Sequence, residues 1–475
     1  MAVESLTEQM AASAAGLTIA DIPDTVREKA KLHIMDTLGC GIAGASSSLA
    51  RQMLGYLRLE HAEGPCAIIG SDLRFGPAAA AFGNGVAMNA LDYDDCVEIE
   101  GKGMGHPGAT IVAAAVSGAF AHHCSGTAFL SAVVAAYEFN NRFIRAMQPS
   151  VERFRQVYGV CQHQSVAAAI AFGKLSKLDA VSLENAMGLA GTLANVPSLR
   201  KYNWERRPLV SFKDFNGPTA EAGVRAVQLD ACGVVGARRV LDGDTGLWRM
   251  LGSDQFDAES MTADLSSRWA VLDSGFKAYP ACRWLHTAIE AFRTVLAEHE
   301  WPPREIEAVT VYTSAAVARD CMDYRPVNMV DAQFSLPFAF AAVAYEIRHA
   351  AWFDDATMAR DDLRRFGQRV RAEVDPEIDA RMSRPERRFL ARVSVQAGGR
   401  TVSSDTVAFP RGSLQSPLTV EEVRRKFLEN AGPVLGAGVA ETVVERLGRI
   451  EGEENVSSLL DLMRRPTACA PHRFP

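Results

Sequence analysis

The sequence lacks the features that define several large classes of protein. It has no lysine- or arginine-rich run, its formal net charge is −7 and its pI is about 5.9. We therefore expect neither nucleic acid nor an anionic membrane as a partner. The nine cysteines are scattered without a CxxC pair, which predicts reduced thiols in a cytoplasmic protein. The first residues show no secretory signal pattern, and apolar runs such as 109–121 are too short to cross a bilayer.

Motifs that hold cofactors or activate nucleophiles are also missing. The sequence contains no GxxxxGK[ST] phosphate loop, no GxSxG elbow and no His/Cys/Asp spacing typical of zinc. Its glycine-rich stretches follow predicted helices rather than strands, so a dinucleotide fingerprint is not supported. By elimination, we expect proton transfer by side chains, with no cofactor and no metal.

The composition is that of a globular protein, with 48% hydrophobic and 23% charged residues, and 475 residues predict two or more domains. Residues 78–235 are Ala-rich with helical periodicity, whereas a strand is predicted at 308–313 and a hairpin at 388–408. Helical periodicity returns after residue 419. We therefore predict a mainly α fold with an α+β insert. The predicted parts are a helical domain over 1–269, a smaller α+β domain over 270–411 and a helical C-terminal segment over 412–475.

Within the stretch 82–115, a dense group of ionisable residues lies between two apolar runs that are expected to pack in the core. Asp92, Asp94 and Asp95 follow one apolar run, and His106 precedes a second. Packed elements on both sides would hold the loop rigidly, and clustered carboxylates beside a histidine favour shifted pKa values. The loop therefore predicts a reactive pocket. The alternative is a solvated loop between two core helices, in which Asp92 caps a helix.

Two further junctions have the same layout. His163 and Lys213 each precede an Ala-rich helix, as His106 does. Helix N-termini attract anions, so the three junctions together would form a site for an anionic substrate. Removing a proton beside a carboxylate builds charge that Lys, Arg or His can stabilise. Taken singly, each histidine fits a buried structural residue equally well, and the lysine fits a solvent-exposed one.

A fourth cluster, FKAYPACRWLH, opens the α+β domain and contains Lys277, Tyr279, Cys282, Arg283 and His286. Arg283 and His286 are three residues apart and share a helix face. Cys282 fits either a nucleophile or a small buried thiol. Tyr324 lies in a Tyr-Arg-Pro segment that fits either a polar contact or an ordinary turn.

The ordered set LDYDD, GHPG, FKDFNG before AEAGVRA, KAYPACRWLH and DAQFSLPFA resembles the MmgE/PrpD family, over about residues 30–436. This family includes 2-methylcitrate dehydratase, cis-aconitate decarboxylase and iminodisuccinate epimerase, which act on small di- or tricarboxylates without a redox cofactor. The resemblance implies a helical domain split in sequence, an inserted α+β lid, a site between the two domains and a homodimer.

The resemblance also implies roles for individual residues. Catalytic roles fall on Asp92 of the DxDD segment, His106 of an HPS-like motif in which Gly108 replaces Ser, His163 and Lys213. Substrate-binding roles fall on Cys96, Lys277, Cys282, Arg283, His286 and Tyr324. Cys96 and Cys282 stand where the decarboxylase branch has Thr and His, and Tyr324 lies near its Tyr.

These observations favour a hydro-lyase that acts on a small di- or tricarboxylate. An epimerase that uses the same proton abstraction, a decarboxylase of an aconitate-like acid and a catalytically silent binding protein are the alternatives. At Cys96, Cys282 and Gly108 the sequence departs from the family's motifs. These differences argue against decarboxylation, and they keep a catalytically silent binding protein among the alternatives.

Overall fold

The computed structural model describes residues 5–99, 102–103, 105–157, 161–196, 206–209, 215–265, 267–384 and 388–465. The predicted catalytic residue Lys213 lies outside these ranges. No helix within them is both long and apolar enough to cross a membrane.

The first segment of the chain is helical almost throughout, as predicted. Its helices are α1 (Leu6–Gly16), α2 (Asp24–Gly44), α3 (Ser48–Glu60), α4 (Pro77–Asn89), α5 (Pro107–His122), α6 (Gly126–Ala146), α7 (Val151–Gln156), α8 (Gln164–Leu175), α9 (Ala180–Thr192), α10 (Asn216–Ala231), α11 (Leu247–Met250) and α12 (Glu259–Thr262). Helices α4 and α5 each carry a proline in the first turn, where its missing N–H costs nothing. Small side chains let α4, α5 and α8 be buried on nearly every face.

Short strands lie between the helices, and the pairing of two of them links the helical segment to the segment that follows it. They are β1 (Cys66–Ala67), β2 (Arg74–Phe75), β3 (Cys96–Ile99), β4 (Lys102–Gly103) and β5 (Ser274–Gly275). Strand β3 pairs antiparallel with β5, which places Cys96 opposite Gly275. This pairing brings the LDYDD loop beside the KAYPACRWLH segment. Strands this short leave no periodic signal, and the sequence analysis did not predict them.

The second part of the chain holds one four-stranded sheet with the order β7-β6-β8-β9. The strands are β6 (Ile306–Thr313), β7 (Val370–Val374), β8 (Arg392–Ala397) and β9 (Arg400–Ser403). Strand β6 is parallel to β7 and antiparallel to β8. The predicted hairpin turn is confirmed at Gly398 and Gly399, which have φ values of +56° and +72° that glycine adopts without strain.

Within the described residues, the helices that accompany this sheet are α13 (His286–His299), α14 (Ala315–Asp320), α15 (Met329–Gln333), α16 (Leu336–Ala344), α17 (Asp355–Met358), α18 (Asp361–Gly367) and α19 (Pro376–Ser383). The apolar stretch 332–348, which helical periodicity predicts as one helix, is divided between two helices. The chain breaks between α15 and α16, where the Ser335 side chain caps the new helix and Pro337 lies in its first turn.

The C-terminal helices α20 (Val420–Leu435), α21 (Ala437–Gly448) and α22 (Val456–Asp461) return to the first segment. Phe427 of α20 packs so closely on α2 that a Cβ at Gly39 would lie 2.9 Å from its ring. Lys426 Nζ lies 2.7 Å from Asp36 Oδ1 of α2. The mainly α fold with an α+β portion is confirmed, and the exact domain boundaries stay a prediction.

Arg207, which precedes α10 in sequence, forms hydrogen bonds and ion pairs with the α+β portion. Its guanidinium donates to the carbonyl oxygens of Asp320 and Phe334, at 3.0 and 3.2 Å. These carbonyls lie at the C-terminal ends of α14 and α15, where a cation is favourable. The same guanidinium contacts the carboxylates of Asp323 and Asp331 at 3.3 and 3.1 Å. The chain that leads toward α10 is therefore held against the α+β portion.

Candidate active site

The three clustered aspartates are buried, which contradicts the alternative of a solvated loop. Asp92, Asp94 and Asp95 are each 0% exposed. Asp92 follows α4 with a left-handed backbone, φ +50°, and its N–H donates to the Asn89 carbonyl at 2.9 Å. The amide of Asn89 also donates to Asp94 Oδ1 at 3.0 Å. The end of α4 thus turns carboxylates inward, where they need compensating groups.

Lys277 supplies that compensation to Asp92. Its Nζ pairs with Asp92 Oδ1 and lies 3.1 Å from the Asp92 carbonyl oxygen. Both side chains are fully buried. The structure therefore brings together two predicted site residues that lie 185 positions apart in sequence. The β3–β5 pairing makes this possible, because Lys277 follows β5 closely.

His106 is the third member of this cluster. It is the N-cap residue of α5 and is 7% exposed. Its Nδ1 lies 2.6 Å from the Asp95 carbonyl oxygen, which can only accept, so Nδ1 carries a hydrogen. In the neutral ring Nε2 then carries the lone pair, and it lies 3.8 Å from Asp92 Oδ1. This arrangement is that of a general base beside a carboxylate that stabilises its protonated form.

Asp95 holds the loop in place. Its Oδ2 accepts from the Tyr137 hydroxyl at 2.6 Å and lies 3.3 Å from His33 Nδ1, and its Oδ1 accepts from the Gly108 N–H at 3.0 Å. Burial and the neighbouring carboxylate raise the pKa of Tyr137, which keeps the phenol a donor. The carbonyl that orients His106 is therefore anchored to α5 and α6.

Asp92, Asp94 and His106 each offer an atom within 4.8 Å of the others, a set that could hold a divalent cation. The ammonium group of Lys277 already lies on the Asp92 oxygen that faces His106. Lys277 therefore supplies positive charge to an oxygen that such a cation would use.

The N-termini of α5, α8 and α10 converge beside His106. The side-chain amide of Asn216, the first residue of α10, donates to the His106 carbonyl at 2.8 Å and to Thr110 Oγ1 of α5 at 3.0 Å. Thr110 in turn donates to Gln164 Oε1, the first residue of α8, at 2.7 Å. Three positive helix ends in one place favour an anion. Asn216, Thr110 and Gln164 were not predicted as site residues. The positions of Asn216 in FKDFNG and of Gln164 directly after His163 were the available signals.

His163 lies in an apolar environment. Its ring stacks on Phe143 with centroids 5.2 Å apart and planes at 22°. It is 0% exposed, and burial lowers its pKa to about 3. Neither ring nitrogen has a hydrogen-bond partner within the part of the chain that the structure describes. The side chain is therefore neutral at pH 7, and its catalytic role stays a prediction.

Arg283 and His286 lie together, as their spacing predicted, but Arg283 is paired with Glu98. Its Nε donates to Glu98 Oε1 at 2.8 Å, and its Nη1 donates to His286 Nδ1 at 3.3 Å. His286 Nε2 therefore carries the hydrogen that the Ala281 carbonyl accepts at 3.1 Å. Burial, together with Arg283 and Lys277, lowers the pKa of His286 well below its usual value. Glu98 was missed because a single acidic residue in a strand as short as β3 carries no sequence signal.

Tyr324 faces a different cavity. Its hydroxyl donates to the Val370 carbonyl at 2.9 Å, and it lines a pocket of about 490 Å³ with Arg325, Phe338 and Arg360. None of the described residues that line this pocket belongs to the Asp92 cluster. The substrate-binding role of Tyr324 stays a prediction.

The two cysteines of the predicted site are buried. Cys96 lies in β3, and burial raises the pKa of its thiol to about 12, so it is not a thiolate at neutral pH. Cys282 directly precedes the helical turn at 283–285, and its N–H donates to the Gln333 carbonyl at 2.9 Å. The binding roles of both residues stay predictions.

Comparison with known proteins identifies the class to which this fold and cluster belong. The MmgE/PrpD N-terminal domain model matches residues 8–259, and the MmgE/PrpD C-terminal domain model matches residues 279–448. The chain belongs to the MmgE/PrpD family.

Curated relatives match along nearly the whole chain. The cis-aconitate decarboxylase-like protein oryM of Aspergillus oryzae is 26% identical over an alignment of 467 residues that covers 93% of this chain and 94% of the relative. Cis-aconitate decarboxylase of Homo sapiens is 23% identical, covering 98% of this chain and 96% of that enzyme. Cis-aconitate decarboxylase of Aspergillus terreus is also 23% identical, with coverage of 98% and 97%.

Gly108 leaves no room for a side chain, so Gly108→Ala is expected to destabilise the protein by about 1–3 kcal/mol. Its Cβ would lie 2.5 Å from Thr37 Oγ1 and 2.9 Å from the Tyr137 hydroxyl. Gly432→Ala in α20 is the control, because nothing lies within 4 Å of that Cβ, and it should stabilise by about 0.5–1 kcal/mol. Thermal unfolding measures the stability of both variants. Shifts of the same sign and size in the two unfolding temperatures would contradict the tight packing around Gly108.

His163→Phe is expected to make the free energy of unfolding less sensitive to acid, because the phenyl ring binds no proton. The unfolded chain binds a proton at His163 below about pH 6.5, whereas the folded chain does so only near pH 3. Stability present at pH 7 is therefore lost as the pH falls through this window, by about 2 kcal/mol at pH 5. Urea unfolding at pH 7 and pH 5 measures the difference, and His123→Asn at an exposed position is the control. Unchanged acid sensitivity would contradict a buried, neutral His163, and a loss of turnover in the folded variant would support its predicted catalytic role.

Proposed function

We propose that the protein is a cofactor-independent lyase that removes a proton next to a carboxylate in a small di- or tricarboxylate. The observation that carries this proposal is the cluster in which His106 Nε2 lies 3.8 Å from Asp92 Oδ1 while Lys277 pairs with that same oxygen. The converging N-termini of α5, α8 and α10 supply the positive potential that a carboxylate substrate needs. The family membership supports the same class of substrate.

His106 acts as the base in this proposal. Its Nε2 takes the proton from the carbon beside the substrate carboxylate, and the electron pair of that C–H bond moves toward the carboxylate as an enediolate. Asp92 stabilises the imidazolium that forms, and Lys277 keeps Asp92 ionised. The hydrogen bond from Nδ1 to the Asp95 carbonyl keeps the ring oriented throughout.

The second half of the reaction defines the hydro-lyase. The electron pair forms a carbon–carbon double bond while the bond to the β-hydroxyl breaks, and that hydroxyl leaves as water after it takes a proton from an acid. Helix N-termini and, by the family resemblance, Lys213 hold the charged carboxylate oxygens of the intermediate.

Decarboxylation is the second candidate, because the curated relatives that match the whole chain are named cis-aconitate decarboxylases or decarboxylase-like. There the carbanion arises by loss of CO₂ and is then protonated, for which the imidazolium of His106 is placed. An epimerase would return the proton to the opposite face and needs a second acid–base group there. A silent binding protein would hold the carboxylate without reaction.

The proposal extends to the assembly and location of the protein. We infer a cytoplasmic homodimer from the family resemblance and from the composition, with a small carboxylate as the ligand and with neither nucleic acid nor membrane as partner. Sedimentation of the purified protein measures the oligomeric state directly.

Proton NMR in D₂O tests the reaction class with 2-methylcitrate, citrate, cis-aconitate, tartrate and iminodisuccinate as substrates. A new alkene signal is expected for the hydro-lyase. Loss of CO₂ would establish the decarboxylase, and exchange of an α-proton without a new carbon skeleton would establish the epimerase. No change with any of these compounds would contradict the proposal.

His106→Asn is expected to lower kcat by about 100- to 10,000-fold, because the general base is lost. Asparagine remains a good N-cap residue, so α5 keeps its start. His123→Asn is the matched control at the other end of the same helix, where an exposed His123 forms the left-handed C-cap. Asparagine tolerates that conformation, so this variant should keep wild-type turnover. Equal activity of the two variants would remove His106 from the mechanism.

A further inference from the structure

We propose that Lys426 is a positioning residue for catalysis, which sets the main-chain positions of Lys277 and Asp92 and thereby the geometry that His106 needs. This inference rests on the proposed function. Lys426 belongs to α20 in the C-terminal segment, far in sequence from the other members of the cluster, and it was not among the predicted site residues.

The ammonium group of Lys426 contacts two carbonyl oxygens and one carboxylate. It donates to the Tyr93 carbonyl at 2.6 Å and to the Lys277 carbonyl at 3.0 Å, and it forms an ion pair with Asp36, with Nζ 2.7 Å from Oδ1. It is 5% exposed, and it lies 3.8 Å from the centroid of the Tyr93 ring. Hydrogen bonds from a buried ammonium group restrain the positions of the carbonyl groups that accept them.

Two of these partners lie on the chain segments of the catalytic pair. Tyr93 directly follows Asp92, and the second carbonyl is that of Lys277 itself. The single ammonium group therefore ties together the two chain segments whose side chains form the ion pair at His106. A displacement of about 1 Å in a catalytic group can cost about 100-fold in rate.

A buried ammonium group needs acceptors for its hydrogens whatever its role. Asp36 supplies the charge partner of Lys426 from α2. The two carbonyl acceptors are those of Lys277 and of Tyr93, which directly follows Asp92, so both lie on the main chain of the proposed site. This placement distinguishes a positioning role from ordinary compensation of a buried charge.

Lys174 offers a matched control elsewhere in the molecule. Its Nζ also donates to three carbonyl oxygens, those of Ala14, Ala15 and Leu17 at the end of α1, at 2.6, 3.2 and 2.9 Å. None of these residues belongs to the Asp92 cluster. Lys174→Met and Lys426→Met thus remove the same kind of anchor from two different places.

The test compares kcat, KM and thermal stability of the wild type, Lys426→Met and Lys174→Met at a temperature where all are folded. Both variants should lose stability, but only Lys426→Met should lose kcat, by about 30-fold or more, with KM within about threefold of the wild type. Wild-type kcat in folded Lys426→Met, or equal losses of kcat in the two variants, would overturn the positioning role.

A crystal structure of Lys426→Met gives an outcome that does not depend on activity. We expect Lys277 Nζ to move out of hydrogen-bond distance of Asp92, and an unchanged Lys277–Asp92 pair would overturn the proposal. If Lys426→Met does not fold, Lys426→Arg takes its place, since the guanidinium keeps the charge but not the tetrahedral directions of the three N–H bonds. If the wild type turns over none of the carboxylates, the proposed function fails and the crystal structure alone decides the positioning role.

Discussion

The buried ion pair between Lys277 and Asp92 is the interaction on which the candidate site depends. A carboxylate removed from water costs several kcal/mol unless a cation and hydrogen bonds compensate it. Asp92 is fully buried, and the Lys277 ammonium group that pairs with it favours its ionised form. The Lys277–Asp92 ion pair therefore holds the loop after α4 against the segment after β5. It also explains why the two segments pair through the short strands β3 and β5.

The remaining buried charges divide into groups with separate roles. Asp95 is held by Tyr137, Gly108 and His33, and it gives its carbonyl to His106. Burial raises the pKa of Asp36 to about 6, and Lys426 opposes that rise. Asp92 and Asp95 thus have different tasks: Asp92 faces the proposed base, whereas Asp95 orients the ring of that proposed base.

The sequence predicted the helices and the ionisable loop because periodic burial and clustered carboxylates are local signals. It also placed Lys277, Arg283 and His286 in one segment. Periodicity reports which face of an element is buried but not what it contacts. The pairing of Arg283 with Glu98, the stacking of His163 on Phe143 and the reach of Lys426 into the site arise from tertiary contacts between distant segments. The role of Lys213 stays a prediction, since it lies outside the described residues.

A crystal structure with a bound carboxylate would test the location of the chemistry most directly. The ligand should be the compound that gives a product or exchanges a proton in D₂O, bound to the His106→Asn variant so that turnover is slow. We expect its carboxylate at the N-termini of α5, α8 and α10, with its acidic carbon about 3–3.5 Å from the side chain at position 106. A ligand bound instead in the 490 Å³ pocket beside Tyr324, without contact to position 106, would contradict the assignment.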